Sequence, residues 1–222
     1  NNNTRAVFLS HIQGFNALTE KLLLELKNKN IHLIEDVCES HGALFKGNKV
    51  GSYGWTSNFS FYYAHHLSTI EGGMICTNDE KAYENLRMLR SHGMVREMNN
   101  KKMQSEWIDK HNDLNPKFIF AFPSYNVRNN EIGAVIGLSQ LQRLDSNIRN
   151  RNENLNFFLN KIDKNHFFND FHLEGCSNYA FNLILKNPDN ELMIAIMKNL
   201  DDSGIEFRRG SAGGGNQLRQ PY

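Results

Sequence analysis

Cysteine is scarce in this chain, and it is scattered. Cys38, Cys76 and Cys176 are the only three among 222 residues. An odd, dispersed set argues against a disulfide framework and gives no grouping for a cysteine-ligated zinc or iron–sulfur site. A reducing, cytoplasmic setting is the natural expectation. Charge excess of either sign is also missing, with 25 Lys and Arg against 24 Asp and Glu. No basic footprint points to nucleic acid, and no acidic run suggests a solvating tail. No apolar run approaches the roughly 20 residues of a membrane span, so no membrane partner is expected. The opening NNNTRAVFLSH passes from a short polar start straight into a strand-like run, which is not the pattern of a signal peptide. The sequon at Asn58-Phe59-Ser60 therefore carries little meaning. Common catalytic fingerprints are absent too: there is no HExxH, no CxxC and no GxSxG elbow. The glycine-rich GSAGGGNQ, residues 210–217, lacks the GK[ST] ending of a P-loop and reads as a flexible loop.

What remains is the pattern of an α/β protein large enough to bury a core, with 40% hydrophobic and 11% aromatic residues. AVFLSHI, residues 6–12, reads as a buried strand. LTEKLLLELKNKN, residues 18–30, carries leucines at helical spacing and a lysine-rich end, and IHLIED, residues 31–36, is a second strand. Strand, helix, strand at this spacing predicts a βαβ unit in a parallel sheet with a right-handed connection. TSNFSFYY (56–63) and MICTN (74–78) read as further strands, and DEKAYENLRMLRSHG (79–93) as a helix. Residues 101–115 are polar and read as irregular. A long helix covers about 131–162, with IGAVIGLSQLQRL as its apolar part. The pattern turns polar near Asn150, which places a boundary between a large domain, 1–148, and a small carboxy-terminal α/β domain, 149–222. In the small domain YAFNLILK (179–186) and IEFRRG (205–210) read as strands around a helix at ELMIAIMKNLDDSG. The first strand begins almost at residue 1 and the last residues stop on a loop, so both domains are expected to be partial and the chain a piece of a longer polypeptide.

Three positions stand where chemistry is common. Asp36 ends a parallel strand, the edge at which open α/β sheets bind ligands; taken alone it also fits a solvated acid at a strand end. Glu39 is equally ambiguous. Ser60, on a strand, could offer its hydroxyl to a phosphate or bond its own backbone. His65 and His66 stand side by side in FYYAHHLSTIEGG, without the spacing of a metal pair.

Taken in order, EDVCESHGALFKGNKVGSYG, NFSFYYAHHLSTIEGGMICTND, LRMLRSHGM and SYNVRNNEIGAVIGLSQLQRLD resemble the DegT/StrS-type sugar aminotransferases, fold-type I pyridoxal phosphate (PLP) enzymes. The resemblance covers nearly the whole chain. It implies a mostly parallel large-domain sheet flanked by helices, with Asp36 as partner of the cofactor's pyridinium nitrogen. It places Glu39 where most relatives have glutamine near the ring, Ser60 at the cofactor phosphate, and Asn126 at the phosphate of the other subunit's cofactor. A homodimer with shared active sites follows. His92, Arg96, Arg128, Arg208 and Arg209 are candidate substrate contacts.

In the family the residue five after the FSF serine is the Schiff-base lysine. Here that position holds His65. Imidazole forms no stable imine with an aldehyde, so the resemblance narrows to a branch that dehydrates GDP-4-keto-6-deoxymannose at C3, in colitose and O-antigen-type deoxysugar biosynthesis. The cycle it implies uses pyridoxamine phosphate (PMP), formed from PLP with L-glutamate as amino donor. The PMP amine condenses with the C4 ketone of a nucleotide-linked 4-keto-6-deoxy sugar, a base removes a proton, and the C3 hydroxyl departs. The released unsaturated amino sugar hydrolyses to a 3-deoxy ketone and ammonia. Histidine, which ordinarily titrates near about 6.5, suits the base. A related branch acts on CDP-sugars with an iron–sulfur cluster, and the ungrouped cysteines fit it worse. Two other readings stay open: an aminotransferase of the perosamine-synthase type that has lost its lysine, and a non-catalytic homologue.

Overall fold

A computed structural model describes residues 3–209 together with 219 and 221. The glycine-rich run 210–217 lies outside the described residues. The elements run β1 (Ala6–Ser10), α1 (Glu20–Asn28), β2 (His32–Asp36), β3 (Leu44–Phe45), β4 (Asn48–Lys49), β5 (Thr56–Ser60), β6 (Gly73–Thr77), α2 (Glu80–Leu89), α3 (Lys101–Lys110), α4 (Glu131–Lys161) and α5 (Asn190–Asp202). The fold is α/β. The main sheet has the order β1-β2-β5-β6; β1, β2 and β5 are parallel, and β6 closes the edge antiparallel to β5. β3 and β4 form a small separate hairpin.

The helices begin where side-chain acceptors stop their first amides from going unpaired. Thr19 caps α1, Asp79 caps α2, Asn100 caps α3, Asn130 caps α4 and Asp189 caps α5. Leu26 of α1 packs with Leu18, Leu33, Val37, Ala43 and Val50 to bury one face of β2. A second core joins Met88 of α2 to Val95, Met98 and Ile119. A third joins Leu155 and Leu159, late in α4, to Cys176, with Phe15, Phe158, Phe171 and Leu173 against them.

Three expectations are corrected. Residues 101–110 are helical, because Met103, Trp107 and Ile108 fall on one face and pack on the second core. Residues 179–186 form no ladder among the described residues: beyond the Tyr179 amide on the Gln13 carbonyl, they make one isolated bridge, Phe167 with Leu185, flanked by amide bonds from Phe168 to Ile184 and from Lys186 to His166. Apolar alternation makes a strand only where a neighbour supplies a row of partners. Likewise residues 205–209 carry no strand among the described residues. The small α/β piece is therefore, among the described residues, one helix with irregular segments. α4 runs unbroken through 148/149.

Candidate active site

The parallel register sets Ser10 and Asp36, the last residues of β1 and β2, side by side with Asn58 in the middle of β5. Asp36 Oδ1 accepts from the Cys38 amide at 3.0 Å and from Asn58 Nδ2 at 3.1 Å, and the Ser10 hydroxyl lies 3.4 Å from Oδ2. The carboxylate is thus fixed from both sides, on the strand face opposite that of Leu33, Glu35 and Val37. In front of it lies a cavity of about 150 Å³ lined by Ser10, His11, Ile12, Asp36, Cys38, Glu39 and His65. A space of about this size takes one six-membered aromatic ring. Glu39 Oε2 accepts from the Gln13 amide at 3.0 Å, and this tethers the carboxylate to the loop after β1. Gln13 itself has φ 58°, a left-handed turn that aims its amide inward.

Next to Asp36 in the chain, on the opposite strand face, the Glu35 carboxylate is buried in a ring of donors. Glu35, 0% exposed, accepts from the amides of Gly51, Tyr53 and Gly54 at 2.8, 2.8 and 2.6 Å and from His11 Nε2 at 3.1 Å. His11 Nδ1 accepts from the Ala17 amide at 3.1 Å, so the ring is neutral and its one hydrogen goes to Glu35. Burial pushes the Glu35 carboxyl up, but the His11 bond and the three amides outweigh it and hold it below 4.5. The Cys38 thiol is pushed up to about 12 by burial and by the Asp36 carboxylate, so the cavity holds a neutral thiol and not a nucleophile.

His65 reaches the cavity from the turn after β5, with Tyr62 and Tyr179 each packed about perpendicular to its ring at 5.6 Å. Its Nδ1 is buried and has no hydrogen-bond partner among the described residues, which leaves Nε2 to act. His66 does not share this role. Its Nε2 donates to the carbonyls of Ser177 and Asn178 at 2.9 and 3.1 Å, and its Nδ1 is buried. Burial drives the His66 imidazole below its ordinary range despite those two carbonyls. Burial, with His66 and His65 nearby, takes His41 down to about 4.

Of the other residues singled out in the sequence, Ser60 is on the same strand face as Asn58 but does not line the cavity; its Oγ accepts from the Tyr62 amide at 3.2 Å. Asp36 and His65 thus line one cavity, and Ser60 lies outside that lining. Asn126 is exposed, bridged to Ser91 and accepting from Arg128 Nε at 3.3 Å; it does not line the cavity. His92 has φ 60° and donates its amide to the Tyr125 carbonyl at 2.6 Å. Arg96 is spent locally, stacked over Phe118 and directed at the Lys117 carbonyl. Arg208 Nη2 lies 3.9 Å from Glu206 Oε1, and both side chains are exposed; Arg209 is exposed. Sequence reasoning missed Ser10, Cys38 and Asn58 as holders of Asp36. Asn58, two residues before Ser60 on a strand, was legible by alternation.

The family model for the DegT/DnrJ/EryC1/StrS aminotransferase family matches residues 1–209. The chain belongs to that family. Two curated relatives are named GDP-4-keto-6-deoxy-D-mannose 3-dehydratase. The one from Escherichia coli O55:H7 is 33% identical over 92% of this chain and 53% of its own length. The one from Yersinia pseudotuberculosis is 35% identical over 92% and 52%. A solved structure, the E. coli GDP-4-keto-6-deoxy-D-mannose-3-dehydratase with bound hydrated PLP, superposes with a TM-score of 0.80 at 30% identity, over 95% of this chain and 54% of that one. The fold is therefore that of the fold-type I aminotransferases, and the chain spans about half the length of the relatives it matches.

Proposed function

We propose that the full-length protein is a PLP/PMP-dependent nucleotide-sugar 3-dehydratase that removes the C3 hydroxyl of GDP-4-keto-6-deoxy-D-mannose. The observation that carries this is His65, an imidazole where the resemblance sets the family's lysine, which shares one cavity with Asp36 and Glu39. The donor set fits the cofactor. An acceptor fixed by Asn58 and the Cys38 amide faces a ring-sized space, as a pyridinium N–H requires. When bound, the cofactor supplies an amine to capture the ketone and an electron sink to expel the hydroxyl.

The residues of this chain supply the rest. Asp36 accepts from the ring nitrogen and keeps it protonated. Glu39 stands at the ring beside it. Ser60, whose oxygen already accepts from Tyr62, still has its own hydrogen to give to the phosphate. Asn126 serves the phosphate of the partner subunit's cofactor in a homodimer, a reading supported by its exposure away from its own chain's cavity. His65 Nε2 takes a proton and returns it. Arg208, with His92, Arg96 and Arg128, is assigned to the substrate. The division into 1–148 and 149–222 belongs to the same proposal; the late turns of α4 pack on Phe171, Leu173 and Cys176, in support of it. Among the described residues no helix is long and apolar enough to cross a membrane; a cytoplasmic site of action suits a nucleotide-linked substrate.

The test is turnover by the full-length protein given PLP, L-glutamate and a GDP-, CDP- or dTDP-linked 4-keto-6-deoxy sugar. The proposal expects a 3-deoxy ketone, 2-oxoglutarate and ammonia from the GDP sugar. An amino sugar as product would return the protein to the aminotransferases, and failure to bind PLP would make it a non-catalytic homologue.

A further inference from the structure

One short segment without regular secondary structure is pinned from several sides. In residues 175–179 the Gly175 carbonyl accepts from the Leu44 amide at 2.8 Å, and the Cys176 carbonyl from Asn152 Nδ2 at 2.6 Å. The Ser177 and Tyr179 amides donate to the carbonyls of Gly14 and Gln13 at 2.9 and 3.0 Å. His66 Nε2 reaches the Ser177 and Asn178 carbonyls, and Arg151 Nη1 the Tyr179 carbonyl at 3.1 Å. Ser177 and Asn178 are buried. The fit is close enough that a Cβ on Gly14 would stand 2.5 Å from the Asn178 nitrogen.

This strap ends on Tyr179, whose ring meets His65 at 5.6 Å and 74° and His66 at 5.9 Å. A histidine base is usually oriented by a hydrogen bond to its second nitrogen. Among the described residues His65 has no such bond at Nδ1. Packing must do the orienting instead, and Tyr179 is one of the two rings that supply it, with Tyr62 the other.

We infer that the 175–179 strap is a positioning device for His65: Tyr179 sets the imidazole's direction into the cavity, and His66 is the pin that holds the strap in place. The inference rests on His65 being the base. It makes Tyr179 and His66 positioning residues, acting through His65.

The test uses the full-length protein with isotope-labelled histidine and reads two quantities: the His65 ring resonances without substrate, and kcat against KM for dehydration. Tyr179→Leu should move the His65 resonances and lower kcat by roughly 10–100-fold, the usual effect of a small misplacement, with KM little changed. Tyr179→Phe, which keeps the ring, should leave both near wild type. His66→Gln, which keeps a donor, should behave like wild type, and His66→Leu like Tyr179→Leu; this pair carries the comparison if Tyr179→Leu does not fold. Unmoved His65 resonances in Tyr179→Leu and His66→Leu, or moved resonances with kcat unchanged, overturn the inference. Failure of the underlying reading shows separately, as full activity in His65→Asn.

Discussion

A buried carboxylate is stable only while every lone pair has a donor, and Glu35 meets that condition with His11 and three amides. Glu35→Gln places an amide N–H against those donors and should cost about 2–4 kcal/mol in denaturant unfolding at neutral pH. Because the folded-state value lies below 4.5, this stabilisation is present above 4.5 and is lost as pH falls through the folded value. His41 acts in a higher window. Held down to about 4 from 6.5, it stabilises the fold above 6.5 and withdraws that contribution as pH falls from 6.5 toward 4. His41→Gln should flatten the stability profile across that window, which unfolding curves at stepped pH would reveal. Asp36 and Glu39 were legible residue by residue as acids after a parallel strand, and their roles came from the ordered resemblance. The neighbours that hold Asp36 were not, because Ser10 and Cys38 reach it through register and a turn, and neither is visible before strand pairing is known.

At the scale of elements, periodicity found β1, β2, β5, β6, α1, α2, α4 and α5 to within a few residues, since the strands are short strand-forming runs and each of these helices has apolar residues at helical spacing and a side-chain cap. It failed on α3, whose polar surface hides Met103, Trp107 and Ile108. The helix depends on its cap: Asn100 Oδ1 accepts from the Lys102 and Met103 amides at 3.0 and 3.1 Å. Asn100→Ala should destabilise the protein by about 1 kcal/mol, seen as a lower denaturant midpoint with an unchanged slope. It also failed on residues 179–186, where a strand-like pattern lacks a ladder. What fixes that region is the strap before it, and Gly14 is its seat. With φ 91° and the Asn178 backbone in the space of a Cβ, Gly14→Ala should cost about 2–4 kcal/mol, in the same measurement.

At the scale of the whole molecule, the proposed dimer places Asn126 of one subunit at the partner's cofactor phosphate. Asn126→Asp sets a carboxylate against that phosphate and should leave little turnover, as should His65→Asn, with its fall of roughly 10²–10⁴-fold. If sites are shared, mixing and re-forming dimers from the two impaired variants rebuilds one site free of both changes, and activity returns. Mixed dimers no more active than the parents would place Asn126 in its own chain's site or in none.

The central claim is that His65, in the place of a lysine, is the base of a dehydration. The measurement that tests it most directly is the dehydration rate of His65→Asn in the full-length, cofactor-loaded protein. Asparagine keeps polarity and reach but cannot take the proton. With Asp36 and Ser60 in place cofactor should still bind, while the rate falls by roughly 10²–10⁴-fold. Dehydration at the wild-type rate, with cofactor bound, would contradict the account and reduce His65 to a spacer.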